Sequence, residues 1–517
     1  MNTRKQIFPL MLVRYVLLAL VMLAGSAYFI PLNATVLHYS GEVEGRWTLD
    51  SSPIYITGDV TVPEGRQLII EAGVRVLFLG NYYFNVRGML IAEGTAEDGG
   101  RITFDRLEGG LWQGIYFNQA DSRSRMIRCD ILNASIGIDL NRTSPALRYN
   151  KIDAQSIGIS CLSSSPEISN SIEISVGRGH MQTTAIGISL FGGSNAQIRG
   201  NERIIVTGGP GVEFIGILVD RSFPDIRENW IEVMSYAPAF GIIIRRTDKV
   251  SVINNIIRLK SQQSMLALWT IDTEDLLIRN NNFILNESSG NAIGIKVDTG
   301  ARATVQNNII WGNGSSTGIE LANGTIHNSS GYNNLWQHHR NYVGHWQGFE
   351  DVLADPMFFA HHPDLDSVDN DSYQLRWDDY DDGENRLKSP CIDAGHPDFN
   401  DPDGTRSDIG RFYFHQYRDP DNVVDNEVIP TELHLLDVYP NPFNSIAKLT
   451  YSVGLSGNID LSLFDIQGQR VLTLVSGRVD SGTHTVVLDG SYLPAGVYLA
   501  RLTSHEGTSL KKLTLVK

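Results

Sequence analysis

Three carboxylates and one guanidinium near the middle of the 517-residue chain are of the right types for chemistry on a sugar. Glycoside hydrolysis needs two carboxyl groups roughly 5 to 9.5 Å apart, and the acids on offer are Asp220, Asp272 and Asp298. Elimination from a polysaccharide wants a cationic base with carboxylates beside it, and Arg245 is the candidate. Trp269 lies among them, and an indole beside charged groups is a platform on which sugar C–H faces stack. His338, His339, His345, His361 and His362 are dense but show no H-E-x-x-H spacing, so they read as surface residues of an end cap. No Gly-rich phosphate loop, Gly-x-Ser-x-Gly elbow or Cys–His nucleophile pair is present. Asp401, Asp403 and Asp408 raise calcium as a cofactor, but Phe399 and Gly410 refuse the ligand positions of an EF-hand. A solvated acidic face is the simpler reading of these three.

Whether such groups meet depends on what carries them, and that is a repeat. A tetrapeptide beginning Gly-Ile recurs at Gly114, Gly137, Gly158, Gly187, Gly216, Gly241, Gly294 and Gly318, with Ala267-Leu268-Trp269-Thr270 as a degenerate copy. The period averages about 25 residues, within the range of solenoids. A second ladder places Asn150, Asn229, Asn255, Asn281 and Asn308 in the pattern apolar-x-x-Asn-x-apolar, and Asn334 follows at the same interval. Each unit is too short for a strand–helix–strand crossover and too β-branched for a helix pair. Alternating apolar residues make short strands, with Asn and Gly at the turns. Stacked coils bury one continuous core, and the asparagines can bond from coil to coil.

Alternate strand residues face opposite ways. With the isoleucine of Gly-Ile inward, the next residue points out, giving the column Tyr116, Asp139, Ser160, Ser189, Leu218, Ile243, Trp269, Lys296, Glu320. A second outward column carries Asn118, Asn141, Leu162, Phe191, Asp220, Arg245, Ile271 and Asp298. Leu218, Ile243, Trp269 and Lys296 are therefore the candidate ligand-binding strip, unless a loop or partner covers it. Asp220 and Asp298 stand three coils apart, roughly 14 Å at the strand spacing, too far for a hydrolytic pair. Asp272 and Asp298 come from neighbouring coils, but the direction of Asp272 at its strand end stays open.

The Gly-Ile strands and Asn-rich turns over residues 50 to 350 resemble the right-handed parallel β-helix (pectate-lyase-like) superfamily. The resemblance implies the fold and little about activity, because that fold hosts lyases, glycosidases, adhesins and spikes. Residues 28–105 read as an N-terminal cap with irregular first coils, and residues 106–349 as the β-helix. Residues 350–418 read as an acidic C-terminal cap. Between 350 and 425 there are 20 Asp plus Glu against 6 Arg plus Lys. The segments Ala354-Asp355-Pro356-Met357-Phe358, Ser389-Pro390-Cys391-Ile392-Asp393-Ala394-Gly395 and Asp401 to Gly410 are similar to the closing segment of many secreted bacterial β-helix proteins.

Residues 419–432, polar and with two prolines, read as a linker, and short alternating strands follow. Tyr439-Pro440-Asn441-Pro442-Phe443-Asn444, Leu463-Phe464-Asp465-Ile466-Gln467-Gly468 and Leu493-Pro494-Ala495-Gly496-Val497-Tyr498 stand in order before Lys511-Lys512-Leu513. Over residues 433–517 they resemble the type A C-terminal sorting domain of the type IX secretion system. That resemblance implies a small Ig-like β-sandwich that engages the secretion machinery and is removed as the cargo is released or attached at the surface. At the other end, Arg4, Lys5 and Arg14, an apolar run from Tyr15 to Ile30 and Gly25-Ser26-Ala27 read as a signal peptide over residues 1–27, or else an uncleaved anchor.

Composition agrees. Charged residues are only 19% and apolar residues 42%, which excludes a disordered chain. A single apolar stretch excludes a polytopic membrane protein, and a net charge of −16 argues against nucleic acid as a partner. Three scattered cysteines make neither a disulfide scaffold nor a zinc site. The expectation is an all-β protein, a right-handed parallel β-helix followed by a β-sandwich, on the surface of a Gram-negative bacterium or released from it. It binds extracellular glycan around Trp269. A polysaccharide lyase or glycosidase on the same face, and a structural rod or adhesin, are the alternatives.

Overall fold

The computed structural model describes residues 37–516 apart from 178–183, 211, 287–289, 323–324, 328–329, 345–346, 359–372, 379, 381–385, 417–433 and short turns in the last 80 residues (440–442, 444–445, 454–456, 466, 480–481, 491–492, 505–506). The expected signal peptide and linker lie outside the described residues.

Residues 37–343 form a parallel β-solenoid of three stacked sheets, in which each strand pairs with its counterpart one coil away. The Gly-Ile strands make one sheet: Ile217 pairs with Ile242, Ile242 with Leu268 and Leu268 with Ile295. A second sheet runs through Gln197–Arg199 and Asp225–Arg227 to the far half of Met265–Arg279. The third runs through Trp230–Ser235, Ile256–Ser261 and Asn282–Leu285. The stretch expected to be irregular is in register too, since Ile54 pairs with Val76 and Val60 with Phe84.

The repeated glycine has a packing cause. Glycine and the isoleucine after it both turn to the core, a local bulge in the alternation. A Cβ on Gly216 would lie 2.4 Å from the Ile231 Cγ2 and 2.6 Å from the Gly241 carbonyl oxygen, so no side chain fits. The one alanine, Ala267, occurs in the coil where Phe283 takes the place that Ile257 and Ile310 hold in its neighbours. The bulge also makes the residue before each glycine point outward, which simple alternation does not predict.

The asparagine ladder sits at the turn between the second and third sheets. Each side-chain amide donates to the Oδ1 one coil on: Asn201 to Asn229 at 2.8 Å, then Asn229 to Asn255, Asn255 to Asn281, Asn281 to Asn308 and Asn308 to Asn333 at 3.0 Å. Before each stands a residue in the left-handed region, such as Glu228, Asn254, Asn280 and Asn307 at φ 55 to 58° or a few degrees less. The ladder ends on Asn333, not on Asn334, because the last coil is one residue shorter. Asn333 in turn donates to the Asp351 carboxylate, an acceptor that needs no further coil. The Tyr342 hydroxyl donates to the other Asp351 oxygen.

Residues 386–416 run back as a strap over the outer face of the third sheet. Trp230, Ile256, Ile284 and Ile309 of that sheet pack with Phe358, Leu375, Cys391, Ile392 and Ile409 in a second apolar core. Asn280 donates to the carbonyls of Asp408 and Gly410, and the Arg411 amide donates to the Asn282 Oδ1. The C-terminal residues form two antiparallel sheets. One holds His434–Tyr439, Ile446–Val453 and Gly482–Asp489; the other holds Gly457–Phe464, Arg470–Val479, Gly496–Ser504 and Gly507–Leu515. Phe443, Leu449, Leu461, Leu463, Leu502 and Leu513 are among the side chains that fill the space between them.

Candidate functional site

The outward column of the Gly-Ile sheet is continuous. Asn85 pairs with Tyr116, Tyr116 with Asp139, and the register passes through Ser160, Ser189, Leu218, Ile243, Trp269 and Lys296 to Glu320. Its members differ in accessibility. Leu218 and Ile243 are only 6% and 5% exposed, because the bulge places Ile186, Ile215 and Phe240 outward beside them. These two columns close into an apolar cluster. Leu218 and Ile243 are thus packing residues and present no strip to a ligand.

Trp269 is half-buried. Its ring stacks near Phe240 at 6.0 Å and 24°, and its Nε1–H points to the Asp298 Oδ2 at 3.4 Å. Lys296 bridges Glu320 at 3.1 Å and approaches Asp298 at 3.8 Å. The other Asp298 oxygen accepts from the Thr299 amide at 2.8 Å and its hydroxyl at 3.2 Å. Trp269, Lys296, Asp298 and Glu320 therefore form one cluster across three coils.

Asp220 and Arg245 are brought together but are not free. Asp220 is 2% exposed and accepts from Arg245 Nε at 3.1 Å and Arg246 Nε at 3.0 Å, with Arg221 at 3.3 Å. Three guanidiniums around one buried carboxylate make a fixed ion cluster, a poor general base. Asp272 is exposed at φ 50°, in the turn that also holds Arg221 and Arg246, and its amide donates to the Thr299 carbonyl.

A groove of about 380 Å³ opens at the other end of the same column. Asp59, Tyr83, Asn85, Tyr116, Asn118, Asp139 and Asn141 line it. Tyr83 is 43% exposed and meets Tyr116 edge-on at 5.3 Å. Burial, then the Asp139 and Tyr83 charges, push the Tyr116 phenol up to about 12, so it stays a hydrogen-bond donor. Asn141 donates to Asn118 at 3.1 Å and the Tyr83 amide to Asp59 at 3.0 Å. Aromatic rings, amides and carboxylates here line one open wall. Sequence reasoning missed the groove, because Asp59 and Tyr83 come from coils without Gly-Ile, though the outward column already contained Tyr116 and Asp139.

The acidic candidates in the cap have other partners. Asp408 Oδ1 and Oδ2 accept from the amides of Asp393 and Phe414, and Asp401 Oδ2 accepts from the Asp408 amide. Asp403 accepts from the Thr405 amide and hydroxyl and from the Gln416 amide. These hydrogen bonds fold the loop; among the described residues no three acidic, His or Cys side chains gather as a metal site. His338 is not a surface residue: burial lowers its pKa to about 4, and its ring bridges Ser316 and the Ile310 carbonyl. His345, His361 and His362 lie outside the described residues.

Burial, aided by neighbouring acids, raises Asp408 to about 8 and Asp401 to about 6 from an ordinary 3.8. The folded strap thus holds protons that the unfolded chain releases above about pH 4, so its stability falls as pH rises toward 8. Hydrogen exchange of residues 386–416, corrected for intrinsic rates, should show less protection at pH 8.5 than at pH 5. Asp408→Asn should flatten the dependence. Protection that grows with pH would contradict the assignment.

Two family models match the chain. Residues 180–335 match the right handed beta helix region, and residues 437–516 match the secretion system C-terminal sorting domain. No curated protein and no solved structure matches it. The solenoid is thus a right-handed parallel β-helix, and the tail is a type IX sorting domain that engages the secretion machinery. The protein is secreted or attached to the outer-membrane surface of a Gram-negative bacterium.

Proposed function

We propose that this exported β-helix protein binds extracellular polysaccharide along the outward face of its Gly-Ile sheet. The observation that supports the reading is the pair of aromatic stations on one column. Tyr83 and Tyr116 stand with Asp59, Asp139 and three asparagine amides at one end, and Trp269 stands with Lys296, Asp298 and Glu320 at the other. Six strand spacings, about 29 Å, separate Tyr116 from Trp269, a span suited to a chain and not to a single sugar. Rings that stack on C–H faces, flanked by groups that bond hydroxyls, are the chemistry of glycan recognition.

Retention of the secreted protein on immobilised polysaccharides tests this. Trp269→Ala and Tyr116→Ala should each weaken retention by about 1–2 kcal/mol, roughly 5- to 30-fold in Kd. Undiminished retention in both variants, or no retention of the native protein on any glycan, would overturn the reading. New reducing or unsaturated ends that vanish in Asp298→Asn would move the assignment to an enzyme.

A further inference from the structure

On another side of the solenoid, the strap and the asparagine turns enclose a groove of about 1090 Å³. Its carboxylates and its guanidiniums are unequally satisfied. Asp401 and Asp408 turn their oxygens to backbone amides. Arg227 is held by Asp225 at 2.5 Å. Arg279, in contrast, has its guanidinium carbon over the Phe399 ring, 4.4 Å from the centroid, and has no hydrogen-bond acceptor for its guanidinium among the described residues. Among the described residues the largely buried Arg411 guanidinium hydrogen-bonds the carbonyls of Asn229 and Glu228, at 3.5 and 3.3 Å, and makes no hydrogen bond to a carboxylate. Burial lowers Arg411 to about 10 against the opposing pull of the Glu228 carboxylate, and burial with the neighbouring Arg227 charge lowers Arg279, which is the less compensated of the two cations.

We infer that this groove binds an anionic group carried by an extracellular glycan, a carboxylate or a sulfate, through Arg279 and Arg411. A planar guanidinium offers paired N–H donors that match two oxygens of either anion, and the Phe399 ring packs against the Arg279 guanidinium. The protein carries a net charge of −16 and Glu202 and Glu228 also line the groove, so an anionic group would be held by direct pairing with these guanidiniums and not by overall charge. The groove is separate from the Tyr116–Trp269 column and does not depend on it.

Affinity electrophoresis of the full secreted protein through alginate, dextran sulfate and neutral dextran tests the inference. The expected result is retardation by alginate if the ligand is a carboxylate, or by dextran sulfate if it is a sulfate, and in either case weakening as salt rises. Arg279→Gln should lower that affinity by about tenfold or more, while Arg279→Lys, which keeps charge and loses the fork, should fall between. The Arg279 side chain makes no hydrogen bond among the described residues, its ladder bonds being to the backbone carbonyl that every variant keeps, and an unchanged melting temperature confirms that the variant is folded. Trp269→Ala should leave the retardation intact, which separates this groove from the outward column. The inference fails if neither anionic polymer retards the native protein, or if Arg279→Gln is retarded as strongly as the native chain.

Discussion

Deleting residues 433–517 should leave the protein in the periplasm, with surface and medium levels falling to background. The tail pairs its strands only among themselves, in two antiparallel sheets around the core of Phe443, Leu461 and Leu502. Its removal therefore takes no strand from the solenoid, whose sheets close through residues 37–343. A loss of export would then report the missing address and not a broken cargo. Immunoblots of periplasmic, surface and medium fractions read the outcome, and intact thermal melting of the periplasmic form serves as the folding control. Equal export of the truncated and full-length proteins would refute the role assigned to the tail.

The second large effect is expected at the centre of the asparagine ladder. Asn281 is fully buried and serves both neighbouring coils at once. Its Oδ1 accepts from the Asn255 amide at 2.9 Å and from the Asn255 side chain at 3.0 Å. Its Nδ2 donates to Asn308 at 3.0 Å and to the carbonyls of Val252 and Arg279 at 2.8 and 3.0 Å. Asn281→Ala orphans donors and acceptors in both neighbouring coils at a fully buried position. At about 1–3 kcal/mol for each buried group left unsatisfied, the loss should be on the order of 3 kcal/mol or more. Denaturant or thermal unfolding measures it. Asn281→Asp should not rescue, because a carboxylate would face the Asn308 oxygen and two carbonyls. A variant within 1 kcal/mol of the native protein, on the scale of an ordinary surface change, would show that the ladder is incidental.

Stacking explains why the fold was legible in the sequence. A residue that meets its own copy one coil away is constrained to recur, so glycine and asparagine wrote the period twice. Legibility failed where the recurrence was interrupted. Asn201 went unnoticed because Arg203 and Ile204 shift the flanking apolar residue by one position. A constant interval points to Asn334, but the last coil is shorter and the ladder ends on Asn333. The outward column was correct in register from Tyr116 to Glu320, but accessibility along it was not readable. Burial of Leu218 and Ile243 follows from the glycine bulge, which turns Ile215 and Phe240 to the same side. The fixed state of Asp220 was hidden for a similar reason, since Arg221 and Arg246 reach it from turn positions that a strand pattern ignores. The strap groove combines residues more than a hundred positions apart, such as Arg279 and Arg411, and no local spacing announces it.

The strap also changes how the rod comes apart. An array in which each coil touches only its neighbours can fray one rung at a time from either end. Here one chain segment is bonded to Asn307, Asn282, Asn280 and the carbonyls of Asn229 and Glu228, and so ties together coils that never touch one another. Loss of any one of these rungs must break strap contacts that the others share. The C-terminal coils therefore open as a single block, whereas the coils before Asn201, which have no such tie among the described residues, remain a ladder that can be climbed step by step.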